Sequence, residues 1–150
     1  MATQNAINSV SKVFLVTSQF DKTSDAALAN ITGLSANVTS AKTYTFVANL
    51  YTTSNAGGGV QAAIGGGASA TSIVYEGMTI NAGLTTQSRG TALAAAVGAV
   101  TAVTAALIII TGTITVNAGG TLTVQFAQNA INVTASSVLV GSSFEVTEII

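Results

Sequence analysis

Histidine, cysteine, tryptophan and proline are absent from this chain of 150 residues, and charged residues make up only 6% of it. An ordinary soluble domain is about 25% Asp, Glu, Lys and Arg. Without His or Cys there is no Ser-His-Asp or Cys-His catalysis and no zinc site built on nitrogen or sulfur ligands. No disulfide framework is available either. The basic residues are Lys12, Lys22, Lys42 and Arg89, too few for the cationic stripe that neutralises nucleic-acid phosphates. Without Pro, the turns fall to Gly, Asn and Ser. The formal net charge of -1 removes the usual electrostatic protection against association. Such a chain is expected to hide surface in an oligomer or against a large partner.

What is present is apolar and small. Hydrophobic residues are 49% of the chain but aromatics only 5%, and the length fits one domain with a real core. The opening MATQNAINSVSK has neither the basic start nor the apolar run of a signal peptide, so synthesis and first use in a cytoplasm are expected. Thr91–Ile110 is uncharged and long enough to span a bilayer, but Ala, Thr and Gly dilute it and no Lys or Arg cluster flanks it. The membrane reading is therefore the weaker one. Asn30, Asn37 and Asn132 each open an Asn-x-Thr triplet, read as chance matches in a Thr- and Asn-rich chain.

Period-two alternation dominates the sequence. Thr43 to Tyr51 places Tyr44, Phe46, Ala48 and Leu50 on one face and Thr43, Thr45 and Asn49 on the other. Thr111 to Val116 and Thr121 to Ala127 alternate in the same way about Asn117-Ala118-Gly119-Gly120, which predicts a β-hairpin. Ser143 to Ile150 forms a closing strand. Lys12–Ser18, Gly59–Ile64, Thr71–Glu76 and a short run near Val133–Thr134 or Val138–Val140 supply further strands. Ala92–Ala106 is ambiguous, since its Ala favours helix and its Val and Thr favour strand. Short strands at this spacing predict an all-β, antiparallel two-sheet β-sandwich or barrel. The domain runs over residues 12–150, after a short N-terminal arm at 1–11.

Two of these strands are apolar on both faces. With Ile108, Ile110, Ile114 and Val116 facing the core, Leu107 and Ile109 project to the side of Thr111, Thr113 and Thr115. Val47 and Tyr51 likewise sit among outward Thr and Asn. A strand apolar on both faces is covered on both faces. The cover is either a loop of the same chain or another subunit, which makes Val47, Tyr51, Leu107 and Ile109 the candidate interface.

Sites for chemistry are scarce. The glycine triplets Gly57–Gly59 and Gly65–Gly67 are not followed by Lys-Ser/Thr, so they read as loops rather than phosphate cradles. Ser9-Val10-Ser11-Lys12 has the form of the S-x-x-K of serine acylases but lacks its partner motifs. The carboxylates are Asp21, Asp25, Glu76, Glu145 and Glu148. Glu145 and Glu148 cannot share a strand face. Asp21 and Asp25 flank Lys22 in a polar stretch, where a solvated turn outweighs a calcium site. Arg89 follows a polar loop and is a partner for Glu76, within the chain or across an interface. Tyr51 and Tyr75 are the aromatics to consider for sugar stacking, though such a residue is more often part of a rim or core. No catalytic, cofactor or metal residue emerges, and the chain reads as no enzyme.

ANITGLSANV, a short gap and KTYTFVANLY, then the closing GTITVNAGGTLTVQFAQNA and SSVLVGSSFEVTEI, resemble tumour-necrosis-factor-like jelly-roll modules of tailed-phage virion proteins. The resemblance covers most of the chain from about Asp21. It implies a jelly roll that assembles as a homotrimer, without enzymatic activity or cofactor. Phages use such trimers as cement or decoration proteins on the capsid exterior and as receptor- or glycan-binding heads of tail fibres and spikes. The chain has no fibre shaft, which favours a cement protein bound to the major capsid protein of a shell, located in the virion and assembled in the bacterial host cytoplasm. The polar arm is then a capsid-contacting segment, with Gln4, Asn5, Ile7 and Val10 as its contact residues, and no nucleic acid or membrane is involved.

Overall fold

The computed structural model describes residues 10–149, and every element within them is a β-strand or a connection. The strands form two antiparallel sheets, so the chain is an all-β sandwich. Their pairing follows one rule. The central hairpin joins β6 (Ser69–Asn81) to β7 (Leu84–Gly90). Around it, β5 (Val60–Gly65) pairs with β8 (Val97–Val100), and β4 (Thr43–Thr53) with β9 (Ala105–Ala118). Further out, β3 (Ala29–Val38) pairs with β10 (Gly120–Ala127), and β2 (Phe20–Lys22) with β11 (Ser136–Val138). The outermost pair is β1 (Ser11–Leu15) with β12 (Ser143–Ile149). The chain is one long hairpin folded over itself, which is the jelly-roll arrangement.

Rolling the hairpin distributes its pairs between two layers. The larger sheet has the order β1-β12-β4-β9-β6-β7, with β11 and β2 attached beside β4. The smaller sheet has the order β3-β10-β5-β8. The core lies between them. Phe46, Phe144, Tyr75, Ile108, Ile110 and Ile114 face inward from the larger sheet, and Ile31, Leu34, Ile64, Leu122 and Phe126 from the smaller. Burying each such side chain contributes roughly 1.5–3 kcal/mol.

Two sequence expectations fail for identifiable reasons, and the ambiguity at Ala92–Ala106 is resolved. β9 and β10 are not a hairpin: β9 lies in the larger sheet between β4 and β6, and β10 in the smaller between β3 and β5. The link at Gly119 and Gly120 is a corner between layers. A Cβ on Gly119 would lie 3.1 Å from the Val38 carbonyl, and one on Gly120 2.9 Å from the Ala68 nitrogen. The glycines are there for close backbone approach, a demand a tight turn also makes. Thr85–Ser88 is not a loop but part of β7, a strand exposed on both faces, so no buried side imposes alternation on it. Ala92–Ala106 holds a turn, β8 and the start of β9, with no helix. Val97 pairs with Ala62 and packs its side chain into the space over Gly77. The same stretch disposes of the helical membrane span, and no helix among the described residues is long and apolar enough to cross a bilayer.

Candidate functional site

The outer face of the larger sheet brings together the side chains that the two-faced strands left unexplained. Register places Tyr51 directly opposite Leu107, Asn49 opposite Ile109 and Val47 opposite Thr111. On the next strand, Ile80 stands across from Leu107 and Met78 across from Ile109. Directly paired residues of antiparallel strands point to the same face. Tyr51, Leu107 and Ile80 therefore form one row across the sheet, and Ile109 and Met78 the next. Beyond Val47 the row continues through Glu145 to Val13. Val47 is 37% exposed and Tyr51 50%, while the inward Ile108 and Ile110 are fully buried. Leu107, Ile109, Met78 and Ile80 are half-buried, and Leu139 of the loop after β11 borders the first row beside Tyr51.

Polar groups on this face are mostly hydroxyls, with Asn49, Glu145 and one ion pair among them. Thr43 and Thr115 approach at 3.1 Å between their hydroxyls, and Thr45 lies between Thr147 and Thr113. The Arg89 Nε donates to Glu76 Oε1 at 2.5 Å, the two residues facing each other in the register of β6 and β7. The Glu76–Arg89 pair is thus made within the chain. At the end near Thr53 the face deepens into an apolar groove of about 360 Å³, lined by Tyr51, Ile80, Ala105, Leu107 and Leu139.

The remaining titratable groups are dispersed. Lys22 pairs with Asp25, and Lys42 Nζ lies 2.9 Å from Glu148 Oε1. Ser11 hydrogen-bonds Glu145 across β1 and β12, so the S-x-x-K stretch ends in a sheet edge. Ser137 and Gln19 bond the Asp21 carboxylate and hold its pKa low. Lys22 and the Ala27 amide do the same for Asp25. No group of three His, Cys, Asp or Glu side chains among the described residues is placed to hold a metal. The glycine loops spend their amides internally: Asn55 Oδ1 accepts from Gly57 N at 3.0 Å and Gly58 N at 2.7 Å, and Gly67 N donates to Thr121 Oγ1. Tyr75 belongs to the core, its hydroxyl donating to the Ala95 carbonyl at 2.6 Å, and is no sugar platform.

No protein-family model matches the chain, and no curated protein matches it. Among solved structures, it aligns with a chain of infectious bursal disease virus, Gt strain, over 95% of its own length and 42% of that chain, at 13% identity and a TM-score of 0.25. A chain from the Gx strain of that virus aligns over 93% and 40%, at 14% identity and a TM-score of 0.19. The chain spans less than half of either of these virus chains. Likeness of this degree decides neither fold nor role, and the fold assignment rests on the strand pairing.

Of the residues singled out from the sequence, Val47, Tyr51, Leu107 and Ile109 are gathered on one face. Gln4, Asn5 and Ile7 lie outside the described residues. Val10 is exposed immediately before β1. Sequence reading missed Val13, Leu15, Val74, Met78 and Ile80, whose strands carried too little inward alternation to set a register. It also missed the exposed pair Ile131 and Val133 on the loop between β10 and β11. Asn132 between them is engaged with Gln128, Asn55 and Ser24.

Proposed function

We propose that this chain is a non-enzymatic structural virion protein, a homotrimeric cement or decoration protein that binds the major capsid protein on the outside of a phage shell. The observation that carries the assembly is the apolar outer face of the larger sheet, where Tyr51 is exposed and Leu107 and Ile109 are half-buried beside threonines. A face of this kind suits burial against other copies. Its hydroxyls bond one another or water, and it brings no row of charges that would each need a partner. The nested strand order supports the jelly-roll resemblance, and that resemblance supplies the phage setting and the three-fold symmetry. The arm preceding β1 is the shell-contacting segment in this reading.

Purified protein added to undecorated phage shells tests it. Binding in copy number comparable to the shell protein, and loss of binding with unchanged oligomer mass on deleting residues 2–10, are the expected results. A handful of copies per particle, at a tail or spike tip, would instead favour a receptor-binding head.

A further inference from the structure

The loop between β10 and β11 is held from beneath. Gln128 is fully buried, and its Oε1 accepts from the Asn132 amide at 3.1 Å and the Asp25 amide at 3.2 Å. Its Nε2 donates to the carbonyls of Asn132 at 3.0 Å and Thr134 at 2.8 Å. Asn132 is tied a second time, its Oδ1 accepting from Asn55 Nδ2 at 2.7 Å. Ser24 N adds a bond to the Asn132 carbonyl at 2.8 Å, and Ala130 N one to the Gly58 carbonyl at 2.8 Å. On either side of the anchored Asn132, Ile131 is 71% exposed and Val133 83%. A rigid loop thus presents two branched apolar side chains to water, and ordering them for a contact costs little further entropy.

The apolar groove on the outer face of the larger sheet lies at the same end of the sandwich. The groove takes in Tyr51, Leu107 and Leu139, and Ser137 of β11, which follows the loop, pairs with Thr53. A rotation about an axis parallel to the strands displaces a copy sideways without changing its height. In a trimer whose axis runs along the strands, the loop of one copy would stand level with the groove of the next. Neither surface carries a charged residue: the loop reads QNAINVTA, and the groove is lined by Tyr, Thr, Ile, Ala and Leu. A lipid surface is the poorer match, since the loop has no Lys, Arg or Trp to seat it at headgroups.

We infer that Ile131 and Val133 of each copy insert into the Tyr51–Ile80–Leu107 groove of its neighbour. The contact joins two different patches, so it is heterologous, and it closes as a ring under a three-fold rotation. It rests on the trimer reading above and assigns that trimer its registering contact.

The absence of native cysteine makes the test direct. Val133→Cys and Leu107→Cys single variants are co-expressed and treated with a mild oxidant, and chain pairs are read on a non-reducing gel. Cross-linking is expected in the mixture and in neither variant alone. The Val133→Cys/Leu107→Cys double variant is expected to form three linked chains, reversed by reductant. Self-cross-linking of a single variant, which marks a two-fold contact, overturns the proposal. So does an uncross-linked mixture whose mass is still trimeric, an outcome that assigns the loop to a different partner and spares the trimer reading. A single-chain mass for the native protein removes both.

Discussion

Phe46 stands directly across from Gly112 in the register of β4 and β9, and its ring occupies the volume a side chain at 112 would need. A Cβ there would lie 2.8 Å from Phe46 Cζ and 2.5 Å from Tyr75 Cβ. The vacancy lets Phe46 and Tyr75 meet edge to face, with ring centroids 6.2 Å apart. Gly112→Ala presses on the Val74 carbonyl, the Tyr75 Cβ and the Phe46 ring within a packed core, where overpacking costs about 1–3 kcal/mol. Chemical denaturation is expected to show a loss in that range with no change in oligomer symmetry.

Leu107 and Ile109 contribute to the outer face while their neighbours Ile108 and Ile110 hold the core. Leu107→Ser with Ile109→Ser is therefore expected to leave the sandwich folded and to yield a monomer. Sedimentation and circular dichroism check mass and fold together; an unchanged mass would remove this face from the interface.

Gln128→Ala leaves two amides and two carbonyls without their side-chain partner. Each buried group left unmade costs about 1–3 kcal/mol, softened here where water can enter. We expect a stability loss of roughly 3 kcal/mol, with amide exchange accelerating first across residues 129–134. Uniform acceleration throughout the sandwich would contradict a local clamp.

The pH dependence follows from four groups. Asp21 and Asp25 titrate low in the folded chain, Asp21 through Ser137 and Gln19, and Asp25 through Lys22 and the Ala27 amide. Their contribution is present above the ordinary Asp value of about 3.9 and is lost as pH falls through the lowered folded values. Glu148 raises the Lys42 pKa, and burial raises that of Tyr75. Their contributions are complete below their ordinary values of about 10 and are lost as pH rises through the folded ones. With no His to titrate between, thermal melts are expected to be flat from about pH 5 to 9 and to fall at both ends.

Much of the sandwich was readable because burial on one side prints itself on a strand. Phe46, Ala48 and Leu50 alternate with Thr45, Val47 and Asn49 since β4 sees core on one face only. β7 left no such print, because Leu84 to Arg89 see no core at all. The supposed hairpin at Asn117–Gly120 failed for a different reason. Turn chemistry is local, whereas the choice of sheet for β9 and β10 is made by distant strands. On the outer face, Tyr51, Val47, Leu107 and Ile109 were readable as misfits within their own strands. Their meeting in adjacent rows is a matter of register, which no single strand encodes. Ile131 and Val133 carried no signal because the feature that makes them a surface, the clamp beneath Asn132, joins segments far apart in the chain.

The nested pairing also fixes how the molecule responds to force. Ser11 lies against Thr147, so the two ends of the strand system leave from one edge. Pulling them apart loads the ladder between β1 and β12 one rung at a time, in the weak peeling geometry rather than in shear. Once β1 is peeled away, the load passes to the ladder that joins β12 to β4. A neighbour that grips the β1 edge carries the load before peeling starts, and so stiffens the whole nest by holding its outermost strand.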